Sequence, residues 1–132
     1  MVQGRRFSNL GAKIVANHFE ITAGTPVDKG GDDEGPSPHE ILEAALSACT
    51  IITAQMYANR KQWKLESTEV KVEILSESKE ETKISRQVTF NGDLNDEQRT
   101  RLADIIERCP IHLILESHIS IDTKVVEPVT AQ

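Results

Sequence analysis

The stretch Ser37-Pro38-His39-Glu40-Ile41-Leu42-Glu43-Ala44-Ala45-Leu46-Ser47-Ala48-Cys49-Thr50-Ile51-Ile52-Thr53-Ala54-Gln55-Met56 decides the fold. Ser37 is placed to cap a helix, Pro38 suits the first helical position, and Glu40, three residues past the cap, completes a capping box. No Gly or Pro interrupts the chain from His39 to Lys61, which predicts one long helix over 38–61. Between Ile41 and Met56 the only charged or amide side chains are Glu43 and Gln55, so this helix is expected to be buried on most of its faces. Ala44, Ala45, Ser47 and Ala48 are small enough to let a second backbone approach closely. The expected arrangement is a central helix packed between sheets or against its own symmetry mate.

Working outward, residues 2–9 and 13–21 read as two strands with Asn9-Leu10-Gly11 as the turn between them. Thr22 to Pro36 is rich in Gly, Pro and Asp and has no period: a surface connection, or a flap over a site. After the helix, residues 66–76 alternate Val70, Val72 and Ile74 with Glu69, Lys71 and Glu73, the pattern of a half-buried strand. A polar turn leads to a second strand over 84–92, where Ile84, Arg86, Val88 and Phe90 share a face. An arginine in such a row either snorkels at an edge or is a buried cation near an acidic group.

Asn95, with Gln98 three residues on, caps a second helix whose apolar stripe is Leu102, Ile105 and Ile106. That helix is expected to end near Arg108, because Cys109 precedes Pro110 and a residue before proline avoids the α region. Pro110 begins a fresh helical turn with Cys109 as its N-cap, and residues 118–126 read as a closing strand. The element order ββ-α-ββ-α-α-β places the chain in the α+β class with antiparallel strands.

With 132 residues the chain fits a single domain over 1–132. It holds one Trp, one Tyr and three Phe, so the core rests on aliphatic residues and invites completion by a partner chain. The formal net charge of −6, with Lys and Arg scattered, lacks the basic field that draws a protein to nucleic acid or an anionic membrane. No apolar run is expected to approach the roughly 18 residues needed to span a bilayer. The opening MVQGRRF has no apolar segment behind its arginines, which reads against a secretory leader and for a cytoplasmic setting.

The only two cysteines, Cys49 and Cys109, stand sixty residues apart. In a reducing compartment such a pair is rarely a structural staple, and neither cysteine has zinc-ligand spacing. No metal site, phosphate-binding glycine loop or serine-nucleophile motif is legible, and no cofactor is expected. Two buried thiols acting as small hydrophobes is the plain alternative. A thiol must ionise to attack. Cys109, at a helix start, has unpaired N–H groups to favour its thiolate. Cys49, three turns into a buried helix, would need a cation nearby; Arg5, Arg6, Arg86 and His39 are the candidates. His112, three residues past Cys109, could face the same pocket, whereas His18 and His118 fall in surface or edge positions.

The run Gly35 to Thr50, together with Cys109-Pro110-Ile111-His112, resembles the OsmC/Ohr family, the osmotically induced and organic-hydroperoxide-resistance proteins, in its short OsmC-like branch. Both motifs, their spacing and the element order fit, and the resemblance covers nearly the whole chain. It implies an OsmC-like fold, with antiparallel sheets wrapped around a long central helix in an intertwined homodimer. It further implies a thiol-dependent reductase of small organic hydroperoxides. Cys49 would attack the peroxide and become a sulfenic acid, Cys109 would resolve it as a disulfide, and an external dithiol would reduce the pair. An arginine of the N-terminal strand region would hold the thiolate, oriented by a glutamate at the start of the central helix, in a site shared across the dimer. The family glutamate directly follows the helix-initial proline, ten residues before the reactive cysteine. Here His39 holds that place and Glu40 stands one later. The N-terminal segment lacks the family's Gly-Gly-Arg pattern, and counting back from Pro26 makes Arg6 the first choice and Arg5 the second. The candidate catalytic set is therefore Cys49, Cys109, Arg6, Glu40 and His39. Two other readings stay open: a redox-sensing or ligand-binding dimer without peroxidase activity, and a structural dimer with inert thiols.

Overall fold

A computed structural model describes residues 1–128. In it the predicted helix α1 spans Pro38–Lys61 and opens on a complete capping box. The Ser37 hydroxyl accepts from the Glu40 N–H, and Glu40 accepts from the Ser37 N–H at 3.0 Å. These bonds fix where the helix begins and satisfy amides that would otherwise be unpaired. Three strands precede it, β1 (Val2–Ser8), β2 (Gly11–Ala16) and β3 (Phe19–Ala23), in an antiparallel sheet of that order. The single strand expected over 13–21 is thus two. The chain reverses at Asn17-His18, where Asn17 adopts φ 58°, a left-handed conformation that asparagine tolerates better than most residues.

After α1 the chain forms a long two-stranded ribbon, β4 (Lys64–Glu77) and β5 (Thr82–Asp93). Val70 lies opposite Val88, Val72 opposite Arg86, and Ile74 opposite Ile84, so the apolar rows of both strands share one face, as their alternation requires. Two helices complete the chain: α2 (Asp96–Ile106), with its Asn95–Gln98 capping box formed, and α3 (Pro110–Glu116), N-capped by Cys109. Gly92, at φ +146° beside a ladder irregularity, brings β5 so close to the Lys64 carbonyl that any side chain there would collide with it.

The core lies where α1, β4 and α2 meet. Leu46, Thr50, Ala54 and Ala58, four residues apart, are the buried face of α1. Leu65, Leu102 and Ile106 pack on Ala54 and Ala58, with Trp63, Val88, Phe90 and Leu94 around the margin. Glu43 accepts the Ile74 N–H at 2.8 Å and ties α1 to β4. The expectation that α1 is buried nearly all round does not hold within one chain: Leu42, Ile51, Ile52 and Met56 are exposed, and so are most of β1 and β3. The expected strand over 118–126 does not form either. Those residues have no ladder partner, and Ile119, Ile121, Val125 and Val126 stand in the open. A strand is defined by its neighbour, and among the described residues no sheet edge meets them. By length and composition alone α1 would also suffice to cross a bilayer, contrary to the expectation that no segment would. Ile, Leu and Ala residues keep it apolar on average, Glu43, Ser47, Thr50 and Thr53 interrupt any continuous apolar run, and one of its faces packs against β4 and α2.

Candidate functional site

Cys49 is partly buried and lies at the edge between the packed and open faces of α1. Its Sγ is 3.9 Å from the Thr53 hydroxyl, one turn along the helix. The next residue, Thr50, is fully buried and faces β5. The Thr50 hydroxyl donates its single hydrogen to the Leu46 carbonyl at 2.7 Å, so toward β5 it can only accept. Arg86 supplies the donor: its Nη1 is 3.1 Å from Thr50 Oγ1.

The side chain of Arg86 is only 10% exposed. It is thus the buried cation, not the snorkelling one, and its guanidinium gathers the site. Nη1 also reaches Cys109 Sγ at 3.9 Å, Nη2 donates to His112 Nδ1 at 3.0 Å, and Nη2 lies 3.6 Å from Glu107 Oε1. A guanidinium has no acceptor and keeps its protons, so His112 Nδ1 must offer a lone pair. The ring hydrogen therefore sits on Nε2, which is 2.7 Å from Glu116 Oε1 and 3.3 Å from Glu107 Oε2. Both carboxylates accept and together hold that tautomer.

Cys109 is fully buried. Its Sγ accepts the His112 N–H at 3.4 Å, the N-cap bond that the Cys-Pro sequence predicts. The helix start does not make it an easily ionised thiol, however. Burial pushes the Cys109 thiol up, and the neighbouring Cys49 adds to the rise, against the opposing pull of the His112 N–H and Arg86. Both thiols are free and lie beside each other, although sixty residues separate them in sequence. A cleft of about 600 Å³ opens on the far side of Arg86, with Leu46, Ile84 and Leu115 as apolar walls and Arg86, Glu107 and His112 as polar ones.

The remaining candidates lie elsewhere in this chain. Arg5 and Arg6 are exposed on β1, opposite Lys13 and Ala12 of β2. Glu40 is engaged in the capping box, and His39 Nε2 is 2.6 Å from Glu77 at the end of β4. Nine helical residues separate Glu40 from Cys49, a rotation of about 180°, so the carboxylate leaves the helix on the side away from the thiol. Thr50, Glu107 and Glu116 belong to the site but did not stand out in the sequence. Glu116, one helical turn after His112, was the available signal for one of them. Among the described residues no cluster of His, Cys, Asp and Glu could hold a metal ion.

The architecture is shared with solved proteins of low sequence identity. The OsmC-like protein of Mycoplasma pneumoniae superposes with a TM-score of 0.71 at 18% identity, covering 88% of this chain and 86% of that one. The organic hydroperoxide resistance protein OsmC of Legionella pneumophila gives 0.64 at 18% identity, covering 88% of each chain. The organic hydroperoxide resistance protein OhrB of Bacillus subtilis gives 0.61 at 18% identity, covering 88% and 89%. No curated protein matches by sequence. The family model for OsmC-like proteins matches residues 31–124, which contain the whole of α1, the β4–β5 ribbon and both cysteines. The chain therefore belongs to the OsmC-like protein family.

Proposed function

We propose that this protein is a thiol-dependent reductase of small organic hydroperoxides, working as a homodimer with a cytoplasmic dithiol as reductant. The observation that carries the reading is the pairing of two free thiols of unequal access, Cys49 partly open and Cys109 sealed, with Arg86 against the sealed one. Two of the structural relatives, from Legionella pneumophila and Bacillus subtilis, are described as organic hydroperoxide resistance proteins.

The Cys49 thiolate attacks the outer oxygen of the hydroperoxide, an S–O bond forms as the O–O bond breaks, and the alkoxide leaves as the alcohol after taking up a proton. The sulfenic acid on Cys49 is then attacked by Cys109, which forms the disulfide and releases water. An external dithiol exchanges through a mixed disulfide and restores both thiols. Arg86 is the cation that one chain brings to the pair. Arg6, exposed on β1, serves the Cys49 of the other protomer. Glu40 and His39 are the nearest counterparts of the family's orienting acid, and both are already bonded within the chain, so the chemistry rests on the cysteines and the arginines. The dimer is supported by the apolar side chains that α1 and the C-terminal segment leave uncovered.

Dithiothreitol-dependent consumption of cumene hydroperoxide is expected to exceed the buffer blank for the wild type. Cys49→Ser should fall to the blank. Cys109→Ser should slow turnover and accumulate a sulfenic acid that dimedone traps. A wild-type rate no faster than the blank sinks the enzymatic reading, and a disulfide that forms without turnover points instead to a redox-sensing dimer.

A further inference from the structure

The Arg86–His112 contact has a consequence beyond the pair of cysteines, and it rests on the peroxidase reading. We infer that His112 is the positioning residue of the resolving step: as the Nε2–H tautomer it holds the Arg86 guanidinium over Cys109 and so aids the thiol that closes the disulfide.

Three observations join. Burial makes Cys109 reluctant to ionise, and Arg86 is the side-chain cation that opposes this. Arg86 has several places to go, because its ribbon borders the cleft and the exposed Glu107 invites it outward. What holds it inward is a pair of acceptors, Thr50 Oγ1 at 3.1 Å and His112 Nδ1 at 3.0 Å, with Cys109 Sγ 3.9 Å from the same Nη1 that meets Thr50. His112 also touches Cys109 through its own backbone N–H. One residue thus donates to the sulfur directly and aims a cation at it through the ring. The groups that face this ring are Arg86 from β5, Glu107 from the segment after α2, Glu116 from α3, and Cys109, with Cys49 of α1 behind that thiol and Lys83 of β5 on the wall of the same cleft. The two carboxylates require a ring hydrogen on Nε2 and leave Nδ1 for the guanidinium. Losing Nδ1 as an acceptor frees Arg86 to turn toward Glu107, and Cys109 then ionises against its burial with less help.

The test separates the two thiol steps. One equivalent of cumene hydroperoxide is mixed with the reduced protein, and dimedone quenching follows the rise and decay of the Cys49 sulfenic acid over pH 6 to 10 in wild type, His112→Leu and His112→Asn. Leu removes the acceptor, whereas the Asn side-chain oxygen falls close to the place of Nδ1. The rise should stay within about twofold in all three proteins, which also shows that each is folded. The decay should slow roughly tenfold in His112→Leu, the factor that one hydrogen bond to a charged group is worth, and its pH profile should move upward. His112→Asn should restore most of both. Equal decay in wild type and His112→Leu overturns the inference, and so does an Asn variant as slow as Leu. If no sulfenic acid forms in the wild type, the peroxidase reading has failed by itself. Diamide then replaces the hydroperoxide. Its adduct on Cys49 is displaced by Cys109 to give the same disulfide and the reduced hydrazine, and the same ranking of variants decides the role of His112.

Discussion

The two faces of α1 are built from similar apolar residues and live in different surroundings. On one face Ala54 and Ala58 are fully buried against β4 and α2, and Thr50 is fully buried against Arg86 of β5. On the other Ile52 and Met56 are each 57% exposed. Apolar side chains of that size, in line along a helix, are a surface waiting to be covered. The site follows the same division. Cys109, with Arg86 beside it, belongs to the closed side, and Cys49 stands on the seam between the two. A thiol on the seam can meet a substrate, whereas a thiol on the closed side can meet only its partner sulfur. Chemistry and assembly are therefore linked, because whatever covers the open face also shapes the approach to Cys49.

The largest expected effect breaks the open face. Ile52→Glu places a charge where the proposed dimer buries an aliphatic side chain, and burying an unpaired carboxylate is costly. Sedimentation should show wild-type particles of twice the 14.7 kDa chain mass and a monomer for the variant, with peroxide consumption falling as the shared site is lost. A wild type that sediments as a monomer removes the dimer from the proposal. Next in size is the closed face. Leu102→Ala hollows the buried junction between α1 and α2 and should cost about 2–5 kcal/mol of stability in urea unfolding. Its effect should appear equally at high and low protein concentration, whereas that of Ile52→Glu should depend on concentration. If both variants respond alike, the two faces of α1 are not distinct.

What the sequence disclosed follows the same line. Both capping boxes, the α2 stripe of Leu102, Ile105 and Ile106, and the N-cap role of Cys109 depend on residues within one turn of each other, and all were legible. The reversal at Asn17-His18 was not, because no glycine marks it and the alternation runs across it. The segment 118–126 has a strand's alternation, yet forms none, because alternation shows a preference while a ladder needs a second strand. Arg86 was legible as an arginine in an apolar row but not as a buried cation. Its partners Glu107, Cys109 and His112 come from another part of the chain, and only the packing of α2 and α3 against α1 brings them to β5. The sequence also suggested an easily ionised Cys109 from its helix start; burial outweighs that local effect. Of the residues carried by the family resemblance, the rotation of Glu40 away from Cys49 could be foreseen by counting, since helix geometry is local.

That reversal at Cys109 has a measurable sign. Its thiol is raised above the ordinary value of 9.0, chiefly by burial, so the folded state holds the Cys109 proton more tightly than the unfolded chain does. Unfolding then releases a proton wherever the pH lies between the two values. The stability contributed by the neutral thiol is fully present below about pH 9, declines as the pH rises past that point, and is gone above the folded value. One proton limits the slope to about 1.4 kcal/mol per pH unit. Urea unfolding of the reduced protein between pH 7 and 11 should therefore show wild-type stability falling toward that of Cys109→Ala as the pH climbs, with the gap between them constant below pH 8. Taking the difference between the two proteins removes the opposite contribution of Tyr57, whose hydroxyl the Arg101 hydrogen bond holds below its ordinary range. A gap that stays constant through pH 10 would mean that the cost of burying Cys109 is met in full by Arg86 and the His112 N–H. The Cys109 thiol would then be as ready to ionise as one in water, and the positioning of Arg86 would matter more than burial.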